Sequence, residues 1–205
     1  MTRIICVDIS RADGKVYESL YKNASEERKR RADRYIRYED KLRCVAADAL
    51  LKIALGTDDF QIEKNRYGKP YIKNMEGVYF NLSHSGNYVV IAFGEGEVGI
   101  DVQRHNTDTD MRMIAEICFT RDEQEYVWQS SLNTAERFYE IWTGKESYLK
   151  RAGKGLSEDL GSFSVLEKRA CIYCLQHTPC EGYTLSFCSA DKDYTLELSD
   201  VGQLG

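Results

Sequence analysis

The chain has 205 residues, 42% hydrophobic and 30% charged, with a net charge of −5. This size allows one large domain or two small ones around a substantial core, the balance excludes a disordered chain, and the acidic total argues against general nucleic-acid binding. No apolar run nears the roughly 20 residues that span a bilayer, and Asp8 interrupts the apolar stretch at the start, so neither signal peptide nor membrane partner is expected and the protein reads as cytoplasmic.

In chain order, Arg3–Asp8 reads as a strand, followed by a polar connection and two helical stretches. Ser25 suits the N-cap of the first, with Glu26 and Glu27 in the turn where the helix dipole favours negative charge. In the second, Leu42, Val45, Ala46, Ala49, Leu50 and Ile53 recur at helical spacing until Gly56 ends the helix. Tyr67–Pro70 is a turn. Strands are expected near Val78–Leu82, Tyr88–Phe93 and Val98–Val102.

The second half repeats this style. Thr109–Cys118 is helical, Thr120–Glu123 is a capping box opening another helix, and Thr134 begins a longer helix through about Arg151, with Phe138, Ile141, Trp142 and Leu149 on its buried side. Strands near Ser162–Leu166, Ala170–Gln176, Tyr183–Cys188 and Tyr194–Leu198 follow. Helices followed by a mostly antiparallel sheet, twice over, indicate an α+β protein of two similar halves, 1–104 and 105–205.

Seven cysteines, an odd number without framework-like spacing, point to reduced thiols. Cys171 and Cys174 have the spacing of a zinc knuckle, but in a strand residues three apart face opposite ways. A zinc module using Cys171, Cys174, Cys180 and Cys188 is the distant rival reading.

Three clusters carry chemistry. In Phe80–Gly86 a strand ends in a small polar loop; His84 there is either a phosphate donor or a local hydrogen-bonding residue. Asp101 and Gln103 share one strand face, suiting a hard cation or plain solvent exposure. Glu146 and Lys150 share a helix face, which alone describes a surface ion pair. Gly144, in mid-helix, asks for a reason such as close backbone approach. The basic run Arg28, Lys29, Arg30, Arg31, Arg34, Arg37, Lys41 and Arg43 is a solvated helix face or a patch for a small polyanion.

Taken together and in order, Gly68–Pro70, Phe80–Gly86, Gly99–Gln103, Trp142–Lys150 and Gly153–Leu156 resemble the motifs of the Sfp-type 4'-phosphopantetheinyl transferases. The resemblance spans nearly the whole chain. It implies two α+β halves related by a pseudo-twofold axis, with coenzyme A in the cleft between them and an acyl or peptidyl carrier protein as the partner. It further implies a monomer serving peptide or polyketide synthases. Asp101, Gln103 and Glu146 would be the ligands of Mg²⁺, or of Mn²⁺. Lys69 and Ser83 would contact the adenosine end, and His84 a phosphate. Arg28 and Arg31 would meet the 3'-phosphate, Lys150 the diphosphate and the leaving group, and Glu146 the proton of the carrier serine. Glu123 corresponds to a further acidic residue near the metal. Gln103 departs from the family pattern, where an acidic ligand is usual. This leaves a catalytically impaired carrier-binding module as the alternative.

Overall fold

The computed structural model describes residues 1–155, 159–168 and 171–204. Its first stretch runs β1 (Thr2–Asp8), α1 (Gly14–Asn23), α2 (Glu26–Asp33), α3 (Tyr38–Leu55), β2 (Ile62–Lys64), β3 (Pro70–Ile72), β4 (Tyr79–Ser85), β5 (Tyr88–Gly94) and β6 (Val98–Arg104). The rest comprises α4 (Met111–Cys118), α5 (Arg121–Trp128), α6 (Thr134–Ala152), β7 (Ile172–Gln176), β8 (Tyr183–Ser189) and β9 (Tyr194–Asp200). Leu156, and Ala170 as the expected start of a strand, lie outside the described residues.

Strand alternation sorts side chains between two cores. In β1, Ile5 and Val7 join the core formed with α3. Ile4 and Cys6 join a second core, with Val98, Ile100 and Val102 of β6 and Leu185 and Phe187 of β8. β5 divides the same way, with Val89, Ile91 and Phe93 on the α3 side and Val90 and Ala92 on the other. A third core joins α4, α5 and α6 to Ile172 and Cys188 of the second sheet. The α+β class is thus realised as two sheets sharing a core, each backed by helices.

The first sheet has the order β4-β5-β1-β9, antiparallel except for the parallel β1–β9 pair, and the second is antiparallel with the order β6-β8-β7. The last strand, β9, therefore completes the sheet begun by β1, and β6, just ahead of residue 105, belongs to the sheet built by β7 and β8. None of the described helices is long and apolar enough to cross a membrane.

Four local expectations change. The connection after β1 contains α1, which Asp13 caps through the Val16 N–H at 2.9 Å, and a short β2–β3 pairing flanks the Tyr67–Pro70 turn. In place of a strand over Ser162–Leu166 there is a 3₁₀ turn at Leu160–Ser162 followed by irregular chain. Its backbone groups are satisfied by side chains instead of a ladder: Lys145 Nζ donates to the carbonyls of Leu160 and Phe163 at 2.8 and 2.6 Å, and the Val165 N–H donates to Glu123 Oε1 at 2.7 Å. Ile53, grouped by spacing with the buried face of α3, is 46% exposed near the helix end.

The close backbone approach anticipated at Gly144 occurs elsewhere. A Cβ on Gly144 would meet Val165 and Ile172 at an ordinary 3.6 Å. On Gly99 of β6, by contrast, it would collide with the Ser147 carbonyl oxygen and the Arg151 backbone nitrogen of α6. Gly99 therefore sets how closely α6 lies on β6. Gly99→Ala is expected to lose at least the roughly 1–3 kcal/mol typical of overpacking, because the added methyl meets backbone atoms; thermal unfolding checks this, with Gly144→Ala the milder comparison.

Candidate active site

β4 and β6 are edge strands of different sheets, and β4 side chains join them. Asn81 Oδ1 accepts from the Ile100 N–H at 2.8 Å, Ser83 Oγ from Val102 at 3.3 Å, and Ser85 Oγ from Arg104 at 3.0 Å. Period-two alternation puts Asn81, Ser83 and Ser85 on this seam and leaves Phe80, Leu82 and His84 for the other face, where all three line one cavity.

The same alternation presents Asp101 and Gln103 of β6 together. Asp101 is 2% exposed and accepts from Ser83 Oγ at 2.9 Å and Lys150 Nζ at 2.6 Å on Oδ1, and from Gln103 Nε2 at 3.2 Å on Oδ2. Lys150 also reaches Ser83 Oγ at 3.2 Å, so this lysine of α6 pairs with β6 instead of with Glu146 on its own helix. Glu146 lines a 260 Å³ cavity with Lys150, Asn81 and the Tyr67–Pro70 turn. Burial, and then the charge of Asp101, push the Glu146 carboxyl above its usual pKa, with Lys150 opposing.

Next to this lies a 330 Å³ cavity lined by Arg28, Arg31, Lys64 and His84, and both cavities share Gly68 and Pro70. Desolvation, followed by the charges of Arg43, Lys150 and Arg31, holds His84 below the ordinary imidazole pKa. A ring kept neutral among cations is poised for an anion. A third cavity, of 830 Å³, flanks Gln103 on the side of Arg37, Arg43, Arg104 and Trp142. Cations thus gather at one end of the seam and a pair of carboxylates at its middle.

Comparison with known proteins gives the family. A model of the 4'-phosphopantetheinyl transferase superfamily matches residues 97–199, and one for a 4'-phosphopantetheinyl transferase N-terminal region matches 14–95. The chain belongs to the 4'-phosphopantetheinyl transferase superfamily. It is 30% identical over 196 residues to 4'-phosphopantetheinyl transferase Sfp of Bacillus subtilis (strain 168), covering 86% of this chain and 87% of that one. With 4'-phosphopantetheinyl transferase gsp of Aneurinibacillus migulanus the identity is 32% over 203 residues, covering 89% and 83%.

Within this superfamily fold, the remaining residues singled out by sequence have defined places. Lys69 borders the 260 Å³ cavity, but its ammonium is committed to Glu97, to the Val98 carbonyl at 3.3 Å and to the Arg151 carbonyl at 2.9 Å. It braces the end of α6 against the start of β6. Ser83 is buried in the seam with its hydroxyl on Asp101. Glu123 is fully buried: Oε2 accepts from the Thr120 N–H at 2.8 Å and pairs with Lys145 at 2.7 Å, while Oε1 takes Val165. Its place is the capping box and a buried ion pair. The described residues hold no cluster of three or more His, Cys, Asp or Glu side chains suited to a metal, so Cys171, Cys174, Cys180 and Cys188 do not assemble the zinc site of the rival reading.

Sequence reasoning missed Lys145, which reads as a neighbour of Glu146 and is in fact 0% exposed. It also left Arg43 among undifferentiated basic residues, although Arg43 Nη1 holds the Gly86 carbonyl at 2.6 Å. The only sequence signal for Lys145 was its place inside an otherwise apolar helix face.

Removing one partner of a buried pair strands the other charge, so Glu123→Ala should cost about 3–5 kcal/mol, read by denaturant unfolding. A stability loss near zero would return Glu123 to the pool of residues free to act elsewhere. For His84, an NMR titration should give a pKa below the ordinary imidazole value in the free chain that rises on adding 3',5'-ADP, because a nearby phosphate favours imidazolium. A titration curve insensitive to the nucleotide would remove His84 from nucleotide binding.

Proposed function

We propose that the chain transfers the 4'-phosphopantetheine group of coenzyme A to a serine of an acyl or peptidyl carrier protein, releasing 3',5'-ADP. The observation that carries this reading is the joining of Ser83, Asp101 and Lys150 across the seam, beside a cavity lined by Arg28, Arg31 and His84. The halves 1–104 and 105–205 are read as a pseudo-twofold pair that exchanges β6 and β9, and one chain completes the cleft as a monomer. The location is cytoplasmic, where the free cysteines stay reduced.

The donors fit a hard cation. Mg²⁺ needs only one or two protein carboxylates, completing its shell with phosphate oxygens and water. Asp101 and Glu146 supply those carboxylates, and the Lys150 ammonium beside Asp101 is a positive charge already drawn to the same place. Gln103 would join them through its carbonyl oxygen. Bound there, Mg²⁺ or Mn²⁺ would polarise the diphosphate and stabilise the charge of the leaving group.

The chain's own groups do the positioning that phosphoryl transfer requires. Arg28, Arg31 and His84 hold the 3'-phosphate end, and the Tyr67–Pro70 turn borders the adenosine. Glu146, made more basic by its burial and by Asp101, takes the proton of the carrier serine. Lys150 moves from Asp101 to the diphosphate and offsets the charge of departing 3',5'-ADP. The carrier approaches through the 830 Å³ cavity, whose arginines suit an acidic partner.

Incubating an apo carrier protein with this chain, coenzyme A and Mg²⁺ should add one phosphopantetheine by intact mass, and EDTA should prevent it. Asp101→Ala and Glu146→Ala should each cut turnover by about 10²-fold or more while thermal unfolding shows a folded chain. No mass gain across acyl and peptidyl carriers would replace the transferase by a carrier-binding module; retained turnover in either variant would undo the assignment of that carboxylate.

A further inference from the structure

Asp48 belongs to none of the motifs, yet its side chain is 2% exposed in α3 and fully engaged. One oxygen faces Arg28 Nε at 3.4 Å and the Ser25 hydroxyl at 3.3 Å; the other faces the Ser25 N–H at 3.2 Å and Lys52 Nζ at 3.4 Å. A buried carboxylate persists only with such compensation. The Ser25 hydroxyl in turn accepts from the Arg28 N–H at 3.3 Å as the N-cap of α2. Asp48 therefore fixes both the backbone at the start of α2 and one edge of the Arg28 guanidinium. Arg28 and Asp48 line the same 330 Å³ cavity as Arg31 and His84.

Two effects of this carboxylate oppose each other. Its charge repels a phosphate, but that charge is already offset by Arg28 and Lys52. Its orienting effect acts the other way: a guanidinium grips phosphate through a planar fork, and a fork held in advance loses less rotamer freedom on binding. We propose that Asp48 is a positioning residue, which holds Arg28 in the orientation that takes the 3'-phosphate of coenzyme A and so sets preference for nucleotides bearing that phosphate. The proposal rests on the transferase reading of this cavity.

Calorimetric binding of 3',5'-ADP and 5'-ADP to the full chain tests it. The unmodified chain should prefer 3',5'-ADP, and Asp48→Asn should weaken 3',5'-ADP about tenfold while moving 5'-ADP less than about twofold. In an Arg28→Ala background, Asp48→Asn should add nothing, since it acts through Arg28. Equal losses for both nucleotides, or the same loss without Arg28, would make Asp48 merely structural and overturn the proposal; tighter 3',5'-ADP binding would make it only a repelling charge. No preference in the unmodified chain overturns the cavity assignment and this proposal together, whereas a preference that survives Asp48→Asn overturns the proposal alone. If Asp48→Asn does not fold, Arg28→Lys carries the test: it keeps the charge without the Nε contact and should lose the preference as fully as Arg28→Ala, and retained preference would sink the idea.

Discussion

The site depends on a seam in which two sheets meet without sharing a backbone ladder. β4 and β6 belong to different sheets, and the N–H groups of Ile100, Val102 and Arg104 are taken by Asn81, Ser83 and Ser85 side chains. Because Ser83 also donates to Asp101, the contact that closes the fold and the contact that shapes the site are one group of atoms.

α6 reaches this seam only because Gly99 has no side chain. Its two neighbouring ionisable residues then divide their work by the roughly 100° turn between successive helical positions. Lys145 points into the interior, where it pairs with Glu123 and ties down the chain around Leu160–Val165, while Glu146 faces the cavity beside Asp101. Burial pushes the Lys145 ammonium down and Glu123 opposes that shift. The buried pair thus anchors the helix that presents Glu146 and Lys150.

Charge is laid out along the cleft in an order that suits a substrate with several phosphates. Arg28, Arg31 and His84 border one cavity, and Glu146 and Lys150 border the next, with Asp101 paired to Lys150. Burial and neighbouring cations hold His84 neutral, and burial with a neighbouring anion raises Glu146, so each is biased toward the form it would exchange on binding or reaction.

The sequence by itself determined most elements, because caps and periodicity are local: Ser25, the Thr120–Glu123 capping box and Gly56 mark helix ends where the structure has them. It also brought Asp101 and Gln103 to one face, since strand alternation needs no tertiary information. Only the tertiary structure decided where long polar side chains end. Lys69 turns to the end of α6, Lys150 leaves Glu146 for Asp101, and Asp48 pairs with Arg28. It likewise placed β9 beside β1 and replaced the strand expected over Ser162–Leu166 by side-chain hydrogen bonds. The reason is physical: caps and alternation act within a few residues, whereas a buried charge must find whichever partner the packing of distant segments brings within reach.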